Sequence, residues 1–339
     1  MVVNSAKYDI SLGELQILGV DSCTDAGGYV RYKGTGQYFL AHGDYIYNKR
    51  KSSIYHRSSG NVISNSILFP LDGAFRSEET LSNEELKNCE VHHGTALISS
   101  TWDSNFFHFV FDVLGKLAVC NRFGVDIKKQ KFSFSPKHKF QLEFFNLLEV
   151  QPVAYNDSSI SIFENSYLPS CMASQGGQPP IELISFLREN LMKRCTSAPS
   201  TSIGSKLFIS RKDATNGRFI ENENEVFEEI FEPAGYKKFF PSDHSVAEQI
   251  KIVSCATHLA GGHGGAFSLM IFMSPGSSVF EIHSPYYYNS CFKNLAYNCG
   301  INHDSLNSHG HYFKRTGMWN RSFIADINDL RNHINTGAI

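Results

Sequence analysis

The chain reads as an α/β protein of two domains with a parallel sheet in its second half, on three observations. Over residues 206–285 short apolar strand patterns alternate with helical patterns of about ten residues, which is the signature of βαβ units on a parallel sheet. A length of 339 residues fits roughly two domains of about 150 residues each. A hydrophobic content of 42% is that of an ordinary globular protein with a sizeable core.

From the N-terminus, residues 1 to about 60 are rich in Gly, Tyr and Ser and read as short strands and turns. Residues 66–70 and 90–100 read as strands around a polar turn or short helix over 78–87. Residues 104–120 form a helix that Asp103 or Ser104 can cap. It is apolar nearly all round and therefore buried. A strand over 131–135 and a helix over 138–148 follow. Residues 171–205 read as a connector: Gly176-Gly177-Gln178-Pro179-Pro180 and Thr196-Ser197-Ala198-Pro199-Ser200-Thr201-Ser202 flank a helix over 181–194. Strands over 206–210, 236–240, 256–260 and 279–282 then alternate with helices over 223–231, 245–254 and 267–273. A helix over 290–299, a loop over 305–310 and a final helix over 322–334 complete the chain.

Composition narrows the function classes. A net charge of −2 gives no reason to expect nucleic acid. No apolar run approaches the roughly 18–20 residues of a membrane span. The start of the chain lacks the basic and apolar regions of a signal peptide. Eight cysteines without C-x-x-C spacing read as reduced thiols, neither a disulfide framework nor a zinc site. The expected location is cytoplasmic. Five lysines interleaved with Phe132 and Phe134 over 128–139 could touch an anionic membrane surface from the cytoplasmic side, or form a solvated face.

Two constellations bear chemistry. On the helix over 104–120, His108, Asp112 and Lys116 recur every four residues on one face. Burying ionisable groups is costly unless they are paired or used. Either the stripe orders the core, or it lines a site where Asp112 or His108 acts as a base. The second constellation lies at the predicted strand ends of 206–285, where ligands of parallel sheets bind. There Arg211, Lys212 and Arg218 flank a loop, and Gly261-Gly262-His263-Gly264-Gly265 enters a helix whose backbone N–H groups can approach a phosphate. His263 can donate to a phosphate oxygen or hold the loop. Arg suits forked contacts to phosphate oxygens. Glu281, ending an apolar strand, can accept both hydroxyls of a ribose. The plainer alternatives are solvated loop arginines, glycines kept for a tight turn and a surface carboxylate. No two aspartates are separated by a single residue, so no D-x-D element holds a divalent ion. A diphosphate would be met by Arg211, Arg218 and the helix terminus.

In order along the chain, Asn105-Phe106-Phe107-His108 with Asp112, Ile209-Ser210-Arg211-Lys212-Asp213 with Arg218, Ala247-Glu248-Gln249 and Gly262-His263-Gly264-Gly265-Ala266 resemble the motifs of glycosyltransferase family 61. The family's glycine loop more often reads G-x-H-G-A-G, and its helix usually has Trp where this chain has Phe109. The resemblance implies a GT-B fold and inverting, metal-independent transfer from a nucleotide sugar. Bacterial relatives act in capsular or surface polysaccharide synthesis.

The reading is therefore two Rossmann-like lobes facing a cleft. Residues 1–190 form an acceptor-binding lobe, 191–205 a linker and 206–315 a nucleotide-sugar-binding lobe. Residues 316–339 are a tail helix packing back on the first lobe. Asp112, or His108 assisted by it, is the base. Arg211, Arg218, Lys212, His263, Gly264, Gly265 and Glu281 hold the donor, and Asn105 and Lys116 hold the acceptor. No metal or cofactor is expected, and the donor nucleotide is expected to be uridine diphosphate. The partners are the nucleotide sugar and a glycan or glycolipid acceptor. The alternatives are a non-catalytic nucleotide-sugar- or glycan-binding subunit of a polysaccharide assembly complex and a metal hydrolase built on His92, His93 and other histidines.

Overall fold

The computed structural model describes residues 2–5, 8–11, 15–22, 37–49, 53–60, 62–64, 81–87, 89–100, 102–156, 160–172, 179–196, 203–212, 217–307 and 320–334. The strand expected over 66–70, the Gly176-Gly177-Gln178 turn, most of the Thr196–Ser202 run and the loop between Lys212 and Gly217 lie outside them. The chain divides into two compact units, Met1–Asn190 and Leu191–Ile339.

The first unit is built on a mixed sheet. Strands Gln151–Val153, Lys131–Ser133, Thr95–Leu97 and Ile160–Pro169 run parallel, and Glu90–His93 joins Ile160–Pro169 in the same sense. On its other edge Ile160–Pro169 pairs antiparallel with the long strand Gln37–Asn48, which also pairs antiparallel with Gln16–Ser22 and Ser53–His56. The sheet is thus not the all-parallel layer of a Rossmann-like lobe. Short connections such as the one between Gln37–Asn48 and Ser53–His56 allow only antiparallel pairing, because a parallel pair needs a crossover of a dozen or more residues. The buried helix expected over 104–120 is present in three pieces, Phe106–His108, a π-helical turn Phe109–Val113, and Leu114–Arg122. It is anchored by Phe109, whose ring meets Phe134, Phe140, Phe144 and Phe145 at 5.4–5.8 Å. Three of these partners, Phe140, Phe144 and Phe145, come from the amphipathic helix Lys139–Leu148.

The second unit carries five parallel strands, numbered within this unit as β1 (Lys206–Ile209), β2 (Lys237–Phe239), β3 (His258–Gly262), β4 (Ser278–His283) and β5 (Asn302–Asn307). Their order is β2-β1-β3-β4-β5, with every neighbour parallel. Sequence reading found the first four and took the end of the fifth, from Ser305, as loop. The helix Val246–Ser254 starts as its sequence dictates: Ser245 and Glu248 form a reciprocal capping box. One face of the sheet is apolar, with Phe208, Ala260, Phe280 and Ile282 in a cluster that also takes Phe227, Phe231 and Tyr236. The tail helix Ile327–His333 buries Leu330 in that same cluster, alongside Phe323 and Ala325. The tail, expected to pack back on the first lobe, thus contributes to the second unit's own core. Its apolar side is the complement of the second unit's sheet. Among the described residues no helix is long and apolar enough to cross a membrane.

Candidate active site

The strand order of the second unit marks a candidate ligand position. The chain steps from β1 outward to β2, then returns past β1 to β3. The connections after β1 and β3 therefore leave in opposite directions, and such switch points at the carboxyl ends of strands are where open α/β sheets bind ligands. The loop after β1 holds Ser210 and Arg211, and the loop after β3 holds His263 and Gly264.

These loops touch. A Cβ on Gly264 would lie 1.5 Å from Nη1 of Arg211, so the guanidinium occupies the place of a side chain at that position. The buried carboxylate of Glu223 holds the Arg211 turn, accepting the Ser210 hydroxyl at 2.6 Å and the Arg211 backbone N–H at 3.1 Å. Across the loop, Gly217 and Arg218 both adopt left-handed backbone (φ 70° and 56°). This turn brings the Arg218 guanidinium 4.4 Å from the centre of the Tyr287 ring. That ring lies 5.2 Å from His263. Arg211, Arg218 and His263 thus converge at the switch point. Gly265 opens the 3₁₀-helix Gly265–Phe272.

Behind His263 lies a polar cluster on the sheet face opposite the apolar one. Glu281, on β4, is fully buried and accepts from Nδ1 of His263, from Nε2 of His303 at 3.0 Å and from Nε2 of His283 at 3.2 Å. Burial by itself would raise its pKa. The His263 charge and the hydrogen bonds from His263, His283 and His303 outweigh that and hold the carboxyl well below the usual range. His263 is pushed below the ordinary histidine value by burial, which Glu281 offsets only in part. His263, Glu281 and His283 each offer a ligand atom, all within 4.8 Å of one another, so this donor set could hold a divalent ion.

In the first unit His108 and Asp112 form a hydrogen-bonded pair, Nδ1 to Oδ2 at 2.9 Å. The π-turn holding Asp112 is a device that recurs at functional sites. Ser100 donates to the same oxygen at 3.1 Å. The His108 side chain is 22% exposed against 7% for Asp112, so the imidazole is the outward member and the carboxylate the inner one.

A family model described as Glycosyltransferase 61 matches residues 106–280, just over half of the chain, from the helix of this pair to β4. The chain belongs to glycosyltransferase family 61. Comparison with curated proteins finds no match.

Several expected contacts of the transferase fall elsewhere. Glu281 is enclosed by three imidazoles and is not placed to take ribose hydroxyls. Lys116 is completely buried and donates to the Ser99 carbonyl, so it does not face an acceptor. Burial lowers its pKa against the pull of Cys171, Asp112 and Asp103. Asn105 is the helix N-cap, accepting from Phe107 N at 2.9 Å. Lys212 turns to Asn224, at 2.7 Å. His92 and His93 project from opposite faces of one strand, His92 stacked on Phe163 and His93 exposed beside Glu164, so they form no joint ligand set. The rings of Phe132 and Phe134 are core, and Lys128, Lys129 and Lys139 pair with Glu149, Asp126 and Glu143. That segment therefore has no aromatic groups to insert in a membrane. Sequence reading missed Glu223, Tyr287, His283 and His303. Of these only the Tyr286-Tyr287-Tyr288 run just beyond the Glu281 strand was a visible signal.

The Gly264 contact gives a sharp test. The backbone of Gly264 is extended (φ −179°), so alanine meets no conformational penalty there and its cost is the displacement of Arg211. Gly264→Ala is expected to raise the transferase's donor KM by about tenfold or more, the size of one lost charged hydrogen bond. An unchanged donor KM would show that Arg211 does not meet the donor.

Proposed function

We propose that the transferase moves a sugar from a nucleotide sugar, with uridine diphosphate the expected carrier, to a hydroxyl of a glycan or lipid-linked saccharide. Transfer inverts the anomeric centre and needs no metal. The architecture proposed is GT-B, with the first unit taking the acceptor and the second the donor. The role proposed is surface-polysaccharide synthesis in a reducing compartment.

The convergence of Arg211, Arg218 and His263 at the switch point carries this reading. Two fixed guanidiniums there would neutralise a departing diphosphate as an acidic pair would with a metal. The dyad supplies the other half. His108, oriented by Asp112, takes the proton of the acceptor hydroxyl as its oxygen bonds to the anomeric carbon. The bond to the diphosphate breaks on the opposite face, its electron pair leaving on the phosphate oxygen. The pattern of an exposed imidazole backed by a buried carboxylate fits that role.

The test is thermal stabilisation and donor hydrolysis across UDP-, GDP-, CMP- and dTDP-sugars, with and without EDTA. A binder shifts stability by mass action. The expected result is a shift for one nucleotide class with slow release that EDTA leaves unchanged. Loss of release in EDTA, restored by a divalent ion, would overturn metal independence and direct attention to His263, Glu281 and His283. No shift with any donor would remove the switch point as the donor site.

A further inference from the structure

Trp102 is one of two tryptophans in the chain, and its side chain stands 41% exposed. Tryptophan is on average highly buried, and leaving indole surface in water forgoes part of its hydrophobic stabilisation. The ring lies edge-on to His108, with centroids 5.0 Å apart at 61°. Phe107 meets the same imidazole at 5.4 Å and 83°. The turn that presents Trp102 is fixed on both sides. Its carbonyl accepts from Asn105 N at 2.9 Å. The next residue, Asp103, is buried, with its carboxylate bonded to Lys49 Nζ at 2.7 Å and Ser99 Oγ at 2.8 Å. The Asp103 carbonyl accepts from Gln141 Nε2 at 2.7 Å. A rigid, partly wet aromatic surface thus adjoins the imidazole of the dyad.

The chemistry that matches such a surface is a sugar ring, with an apolar C–H face to lie on the indole and a rim of hydroxyls to make hydrogen bonds. We propose that Trp102 is the platform of the acceptor subsite: it packs against the C–H face of a saccharide and so holds one of its hydroxyls at His108. The proposal rests on the dyad reading above and adds the ligand's class and its contact surface. It also gives an order of recognition, in which the platform selects for a ring face and the imidazole for a hydroxyl beside it.

Trp319→Phe leaves Trp102 as the single indole, and its emission can be followed while methyl glycosides of glucose, galactose, mannose, xylose, N-acetylglucosamine and N-acetylgalactosamine are added. The expected result is a saturable change with at least one of them, absent in Trp102→Phe made in the otherwise unaltered chain. In transfer to the responsive glycoside, Trp102→Ala is expected to raise the acceptor KM by about 5- to 10-fold, and Trp102→Phe to restore most of that loss. Emission unmoved by all six glycosides, or an acceptor KM for the responsive glycoside left unaltered in Trp102→Ala, would overturn the platform. A saturable change in a protein that transfers no sugar from any donor would sustain the platform and overturn the role of the dyad, so the two failures are distinct.

Discussion

Asp112→Asn is expected to lower transfer by about 10²–10⁴-fold, the range of a positioned acid–base group, while nucleotide-sugar binding survives. Asparagine keeps the shape and can still meet Ser100, but it cannot stabilise an imidazolium at His108 as the carboxylate can. His108→Ala is expected to cost a similar factor. The double variant then separates a dyad from two independent groups. If the residues act as a unit, the pair together loses little more than either alone. Transfer rates at saturating donor, with donor binding followed by thermal shift, make the comparison. Full turnover in both single variants would remove this pair from the chemistry and return it to a purely structural role in the core.

Glu281→Ala is expected to destabilise the second unit by about 3–5 kcal/mol, because it strands three imidazole N–H groups in a dry interior. Denaturant unfolding of the full chain measures it, and an unchanged midpoint would show that water replaces the carboxylate without cost. The pH dependence has a definite sign. The depressed pKa of folded Glu281 contributes stability above the unfolded carboxyl value of about 4.3 and loses it as pH falls through the folded value. His263 is also depressed in the fold, so the unfolded chain takes up its proton first, below about pH 6.5. Both contributions act in the acid direction: the midpoint should decline from about pH 6.5 downward and more steeply below about pH 4.3. Glu281→Gln should flatten the steeper part. Stability constant down to pH 4 would mean that His263 is already charged in the folded state.

What the sequence disclosed follows from how local each signal is. The His108–Asp112 pair was legible because four residues on a helix bring two side chains together whatever surrounds them. The π-turn that holds Asp112 has no counterpart in the pattern, since the apolar run reads the same through it. The strand β5 was missed because Asn-His-Asp-Ser-Leu-Asn has few residues suited to a pleated surface. Its partner β4 supplies what its own propensity does not. Glu281 was misread for a related reason. It is a carboxylate on a strand ending near a glycine loop, and only the fold shows that residues 263, 283 and 303 close on it. Gly264 was legible as a glycine, but its cause, the Arg211 guanidinium 53 residues away in sequence, was not. In the first unit the antiparallel N-terminal strands weakened the two-lobe analogy, because Gly- and Tyr-rich segments do not reveal their pairing sense.

The strand Ser278–His283 has a consequence for how the chain finds its fold. Phe280 and Ile282 face the apolar cluster, and Glu281 and His283 face the polar one. Side chains alternate with a period of two, so a one-residue slip against either parallel neighbour would send every one of them to the opposite side. In most half-buried strands such a slip trades oil for water. Here both sides are closed, and the slip would drive a carboxylate into a phenylalanine-lined core while placing two apolar chains among imidazole donors. The mispaired state fails on both faces at once, at several kcal/mol for the buried polar groups alone. The buried acid and its histidines therefore act as a lock on strand alignment during assembly, so that a ligand loop displaced by one residue does not survive in the folded population.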